Sequence, residues 1–446
     1  MDDTETGEIR GTGVQGTEVD TIPRNFWLGV ANGVLFLGSN ALLDPALVIA
    51  PFIFAFTGNR ILVGLVQAIA IVGWHWPQAV LPGLVEHKER KLPIYLLSVI
   101  TRGGSLTTLV VVVTFFLDSV SFEAGVVLFF LFYAAFVSSC GIAGIPFFDI
   151  VAKSIAPNRR GIFFGIRRVF GGMLAAGMGS LLYAILSRPQ EFPFPKNYTL
   201  VFLIADGLML VAVTFFLFVR EPIHPVRSSR LGFRGFVRSG IQSLRDDQAF
   251  RRMILFRIFL ALAMVPIPFL TPCALEILGA KQAISGTFVT ITMITAIAAN
   301  LVWAPMNDRY GTRIILLFAA LFCVLMSVLA LGSLLIHRIP EYDEGWPLLI
   351  MTAAVVGSSL VNTAFMMGAI NYLLEIAPAR SRPTYIGICQ LVLLPTALFP
   401  VMGGVLATVL SYEAVFLVAL AAALSLFLVV RKLPEPRRIG HRGSAG

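Results

Sequence analysis

The chain has 446 residues, 57% of them hydrophobic and only 13% charged, with a mean hydropathy of +0.84. A soluble domain carries about 25% charged residues, so a water-soluble globular fold is excluded and apolar sequence suffices for many spans of roughly 20 residues. The net charge of +9 is not a nucleic-acid footprint; its meaning depends on where Lys and Arg fall between the apolar runs.

Residues 1–24 are acidic, rich in Gly and Thr, and lack the apolar stretch of a signal peptide; a disordered tail is expected. Six apolar spans follow in residues 25–219, near Phe26–Ile53, Ile61–Val85, Leu92–Leu117, Ala124–Ala152, Gly161–Leu186 and Leu200–Val219. Residues 220–252 form a basic linker with Pro222 and Pro225, whose end (Gly240–Phe250) is expected to be a surface amphipathic helix. Six more spans occupy residues 253–431, near Met253–Leu278, Ala283–Pro305, Ile314–Ile336, Pro347–Ile376, Thr384–Leu410 and Ala414–Val430, and 432–446 form a second tail. With both tails on the inside, 25 of the 34 Lys and Arg lie in inner segments, five in outer loops and four within spans. That bias predicts a multi-pass protein of the plasma membrane with both termini cytoplasmic.

The chain repeats itself. IAPNRRGIFFG (Ile155–Gly165) and IAPARSRPTYIG (Ile376–Gly387) follow the fourth and tenth spans, their IAP triplets 221 positions apart. Pro45 in the first span and Pro266 in the seventh have the same spacing. A short charged break, APMNDRYGTR (Ala304–Arg313), falls between the eighth and ninth spans, and 222 positions earlier Glu86, His87 and Lys91 occupy the corresponding break. Charges so closely spaced cannot lie in hydrocarbon, so both are surface loops. The expected fold is therefore all-α, twelve transmembrane helices arranged as two pseudo-symmetric six-helix bundles.

On these residues the chain resembles the major facilitator superfamily over about residues 25–432. APMNDRYGTR resembles the family's loop motif, a small residue followed by Asp-Arg-x-Gly-x-Arg. The first-half copy, PGLVEHKERK, is degenerate, whereas the family keeps it best there. The resemblance implies secondary transport by rocking of the two halves around a central cavity. It also implies a cytoplasmic gate of Asp308, Arg309, Gly311 and Arg313 with Glu86 and Lys91. Asp149 in the fourth span is the expected first-half partner of that gate, with Arg167 and Arg168 as basic counterparts.

Charges inside spans carry functional expectations by default. Asn32, Phe36, Asn40 and Asp44 follow at four-residue steps and share one helix face. Asp44 has no acidic counterpart in the second half, where Val265 aligns; it is expected to bind substrate or a coupling proton, the alternative being a helix-packing ion pair. Arg102, about ten residues into the third span, needs an anion, supplied by Asp44 or by the substrate. Asp206 is expected at the interface and Arg257 is expected to snorkel. The resemblance places the cavity between the first, fourth, seventh and tenth spans, with Asn32, Asn40, Asp44, Asn362, Met366 and Asn371 as lining candidates. Gln67, His75 and Gln390 are further polar candidates.

Four cysteines lie in apolar segments without CxxC spacing, which indicates buried small side chains rather than a metal site or disulfides. No phosphate-binding loop and no nucleophile with a base stands out, so no enzyme and no cofactor is expected. The expected partners are a small organic solute, the lipid bilayer and protons, with no nucleic acid, and the expected oligomeric state is a monomer. An uncoupled facilitator and a non-transporting membrane receptor are the alternative functions.

Overall fold

The computed structural model describes residues 21–80, 88–116, 121–222, 233–343, 345–378 and 382–436. Among these, twelve helices are long and apolar enough to cross a membrane. The first bundle holds α1 (Pro23–Thr57), α2 (Arg60–Gln78), α3 (Leu92–Phe115), α4 (Phe122–Ser154), α5 (Asn158–Leu186) and α6 (Lys196–Leu217). The second holds α7 (Gln248–Glu276), α8 (Ile284–Tyr310), α9 (Thr312–His337), α10 (Gly345–Ile376), α11 (Thr384–Val409) and α12 (Tyr412–Arg431). No strand occurs among the described residues.

Two boundaries differ from the sequence expectation. The helix that carries the first span begins at Thr21, two residues before that span and four residues inside the segment read as a tail. Its first turns are docked on the end of the bundle, where Asn25 donates to the Arg220 carbonyl at 2.9 Å. The linker helix runs Phe233–Asp246. It stops where the Asp247 carboxylate accepts from the N–H groups of Ala249 and Phe250 and caps α7 instead.

Within the first bundle α1 packs on α5 and α6, and α3 and α4 pack together; within the second, α9 packs on α10 and α12, and α7 on α12. The bundles meet along two seams, α5 on α8 and α2 on α11. Each seam rests on glycine. A Cβ on Gly286 would lie 2.3 Å from the Tyr183 nitrogen, and one on Gly64 would lie 2.1 Å from the Pro400 carbonyl oxygen. These two glycines stand 222 positions apart, so one repeated device holds both seams. Gly172 and Gly179 of α5 also face α8, at Ile297 and Thr290.

Prolines break the central helices at matching positions. Pro45 has no N–H and disfavours helical geometry at the residue before it, so Asp44 turns to φ −58° and ψ 122°. The helix restarts as a π-turn over Pro45–Ile49. In α7 the regular helix is interrupted by a turn over Met264–Pro266 and restarts at Ile267. Helices interrupted at mid-depth at the interface of two repeats are a recurrent way to build a transport site.

The face bearing the linker is here the linker face, and the opposite one the far face. On the linker face the loop between α8 and α9 turns at Gly311, with φ 87° and ψ 172°. Only glycine occupies that region without strain. A Cβ there would also meet the Glu435 carboxylate, whose Oε1 would be 2.4 Å away. Gly311→Ala is therefore expected to destabilise the second bundle by about 1–3 kcal/mol, read by thermal unfolding in detergent; an unchanged midpoint would refute it.

Candidate functional site

A cavity of about 370 Å³ lies between the bundles, within the size range of small-molecule sites. Its walls come from α1 and α2 on one side and from α7, α8, α10 and α11 on the other. The lining includes no residue of α4, contrary to the expected ring of first, fourth, seventh and tenth spans; α2 and α11 take that space because their glycine seam brings them to the interface.

Asp44 lines this cavity. Its Oδ1 accepts from the N–H groups of Ala46 at 2.9 Å and Leu47 at 2.8 Å, so one oxygen caps the restarted helix while Oδ2 remains for the cavity. Asn362 of α10 also lines the cavity, beside Ser358 and Ser359. From the first bundle come Gln67 and His75. The His75 Nδ1 donates to the Ile71 carbonyl at 2.8 Å, which assigns the tautomer and leaves Nε2 as acceptor in the neutral ring. Trp74 and Trp76 are exposed at the outer surface of the same helix, with the Trp76 indole donating to Ser138 at 3.0 Å.

Arg257 is a cavity residue and not the snorkelling one expected from its place early in the seventh span. Its guanidinium lies 5.2 Å from the Phe365 ring centroid and donates to the Cys389 thiol at 3.2 Å. Arg102 does the reverse. It is 3% exposed, sits 5.3 Å from the Phe36 ring centroid, and lies beside the Tyr95 hydroxyl and the Cys140 thiol. No ion pair joins it to Asp44 among the described residues. The helix-packing pair between these two residues is thus absent, and the position is a buried cation inside the first bundle.

The remaining candidates divide between packing and surface. Asn32 is buried and donates to the Ala212 carbonyl at 2.8 Å, tying α1 to α6. Asn40 and Asn371 are half-buried and outside the cavity lining, and Met366 is exposed. Asp206, expected at the interface, is 4% exposed and accepts from the Thr107 hydroxyl at 2.7 Å. It sits near the middle of α6, where α3 covers it.

On the linker face Asp308 and Arg309 are exposed, with Arg309 beside the Tyr310 ring. Arg313 donates through Nη2 to the Arg431 carbonyl at 2.9 Å, and its backbone N–H meets the Glu435 carboxylate at 3.3 Å. In the first bundle Lys91 is buried, and its N–H and that of Leu92 donate to Glu221 at 2.9 and 2.8 Å. Lys153 completes this group, 2.6 Å from Asp149 and 3.2 Å from Glu221. Asp149 therefore pairs with a lysine on its own helix; Arg167 turns inward, donating to the Gly29 carbonyl at 2.6 Å. Glu86 and His87 lie outside the described residues.

Sequence reading missed Glu221 and Glu435, which occupy equivalent roles: each follows the last helix of its bundle and caps the start of the bundle's third. Their signal was available, since both are followed by proline, Glu221-Pro222 and Glu435-Pro436.

The far face holds the bundles together. Arg60 at the start of α2 reaches Glu276 at the end of α7, with Nη2–Oε1 2.5 Å and Nε–Oε2 3.1 Å. Tyr412 donates to Glu276 Oε2 at 2.8 Å, and Arg60 donates to the Ala407 carbonyl at 2.5 Å. Asn197 donates to Gln282 at 3.2 Å and Thr290 to the Ala176 carbonyl at 3.2 Å, both across the bundles.

Comparison with known proteins places this arrangement. A model described as Major Facilitator Superfamily matches residues 258–446. Uncharacterized proteins of Mycobacterium bovis and Mycobacterium tuberculosis are 22% identical over 304 residues, 67% of this chain and 56% of theirs; the chain thus spans a little over half the length of these curated relatives. A bacterial homologue of the iron transporter ferroportin in its inward-facing state superposes with a TM-score of 0.71 at 13% identity, covering 92% of this chain and 99% of that one. The same homologue in its outward-facing state gives 0.61 at 13% identity, with the same coverage of both chains. A point mutant of the nucleoside transporter NupG gives 0.67 at 12% identity, covering 91% and 99%.

Proposed function

We infer that this chain, a member of the major facilitator superfamily, is a secondary transporter that carries a small organic solute by alternating access. The observation that carries this reading is the cavity between two bundles whose far ends are tied by Arg60, Glu276 and Tyr412. The cavity extends toward the linker face. Arg257 stands nine residues before the break at Pro266, roughly 14 Å at 1.5 Å per residue, and the linker-face groups of each bundle bond within that bundle. This suits a form closed at the far face, and the greater likeness to the inward-facing ferroportin homologue favours the same state. We assign the linker face to the cytoplasm and the protein to the plasma membrane, because most Lys and Arg lie on that side. One chain holds the whole cavity, so the working unit is a monomer.

In this reading Asp44 couples solute movement to protons, since it is the carboxylate in the cavity lining and has Oδ2 to spare. The gate residues Asp308, Arg309, Gly311, Arg313, Lys91 and Asp149 brace the linker-face ends of the two bundles as they rock.

Asp44→Asn separates coupling from structure, because Asn caps a helix as well as Asp. It is expected to unfold at the wild-type temperature but to lose the response of vesicle uptake to an imposed pH gradient. Asp44→Ala, which removes the cap as well, is expected to lower stability by about 0.5–2 kcal/mol. Uptake by Asp44→Asn that still follows the pH gradient would remove the proton role and leave a facilitator. Binding of a solute that never crosses the vesicle membrane would favour a receptor.

A further inference from the structure

We propose that the transported solute is an organic anion, held at the linker-side end of the cavity by Arg257. The proposal rests on the transporter reading for what is moved, and on the cavity alone for what is bound.

Two charged residues line this cavity, Asp44 and Arg257, and they are not equally satisfied. The Asp44 carboxylate receives two backbone N–H bonds at the start of a helix segment, where the positive end of the helix favours an anion. Arg257 has an aromatic ring on one face and a thiol, a weak acceptor, on one nitrogen. Among the described residues no carboxylate lies within ion-pair distance of it. A guanidinium always carries its charge and five donors, and at membrane depth such a charge calls for an anion. The fork geometry suits carboxylate, sulfonate or phosphate oxygens in bidentate contact.

His75, from the other bundle, lines the same cavity as Arg257. With Nδ1 committed to the Ile71 carbonyl, its Nε2 is the atom left for the cavity, an acceptor for an N–H or O–H on the remainder of the solute. Arg257 belongs to α7 and His75 to α2, so a solute whose anionic group sits on Arg257 and whose remainder reaches His75 contacts both bundles. Binding then favours the closed form of the linker face, where the two groups approach, over the open form, where they stand apart.

The test is a thermal-shift screen of the whole purified protein in detergent. The probes are small carboxylates, sulfonates and phosphate monoesters, each paired with its own amide, sulfonamide or alcohol. Stabilising compounds are expected among the anions and not among their neutral partners. Arg257→Gln is expected to weaken their binding at least tenfold. Arg257→Lys is expected to keep the preference for anions with looser binding. Arg188→Gln, on the far-face loop, is expected to bind like wild type. Neutral or cationic hits, the absence of any anionic hit, or anion binding that survives Arg257→Gln in a variant of wild-type thermal stability each overturn the proposal. Vesicle uptake keeps the two readings apart. Uptake of a neutral solute would defeat the anion site and leave the transporter, whereas anion binding without uptake would do the opposite.

Discussion

Leucine at Gly286, or at Gly64, is expected to force the far face open. The obstacle in both places is backbone, which has nowhere to move: the Tyr183 nitrogen and Cα lie 2.3 and 2.6 Å from the Gly286 Cβ position, and the Pro400 carbonyl oxygen and carbon lie 2.1 and 2.7 Å from that of Gly64. Overpacking a close-packed contact costs about 1–3 kcal/mol. Both glycines lie within the first five residues of their helices at the far end, so the cost falls on the conformation in which the far ends touch. A penalty of about 3 kcal/mol changes a two-state ratio by about a hundredfold, since about 1.4 kcal/mol is a factor of ten. Spin labels on Asn59 and Lys281, both exposed in far-face loops on opposite bundles, report this directly. The variants are expected to show a longer distance distribution than wild type, with solute uptake falling toward background. An unchanged distance with normal uptake would mean that the two seams carry no part of the motion.

The second large effect is on stability. Glu221→Ala is expected to cost about 3 kcal/mol or more, because three separate donors lose one acceptor. The Glu221 side chain is 3% exposed, accepts from the Lys91 and Leu92 N–H groups, and pairs with Lys153. Removing one partner of a buried charged group typically costs about 3–5 kcal/mol, and a lost helix cap about 0.5–2 kcal/mol. Lys153 keeps Asp149, which holds the total toward the lower end. Glu435→Ala should cost less, as that carboxylate meets the Arg313 N–H at a longer 3.3 Å. Unfolding temperatures in detergent should be lowest for alanine at 221, higher for glutamine at 221 and highest for alanine at 435. If Glu221→Ala unfolds with wild type, the group on the linker face is a solvated cluster and not a brace.

These two predictions use residues that sequence reading passed over, while the frame around them was legible. The twelve spans follow from apolar length, and the two halves from repeated IAP triplets and prolines 221 positions apart. The helix break at Asp44-Pro45 was not expected, since the first span was read as continuous to Ile53, but its cause lies in the same few residues: the missing proline N–H and the capping carboxylate. Each is a local property: a few consecutive residues fix it whatever packs against them.

What depended on neighbours was decided only in three dimensions. Arg102 and Arg257 stand at similar depths in α3 and α7, yet one is enclosed within a bundle and the other opens into the cavity. Periodicity gives the face of a helix but not the helix that will come to lie against it. Asp206 looked interfacial from its position in the chain, but α3 crosses over it and Thr107 bonds it. Asp149 had arginines in view along the sequence and took Lys153. The chain by itself determined how many times it crosses the membrane, where it repeats and where its central helices break, because hydrophobic length and proline geometry act within one segment. Tertiary structure alone decided which charges face the cavity and which acids brace the bundles, because a side chain's partner is set by how two helices cross.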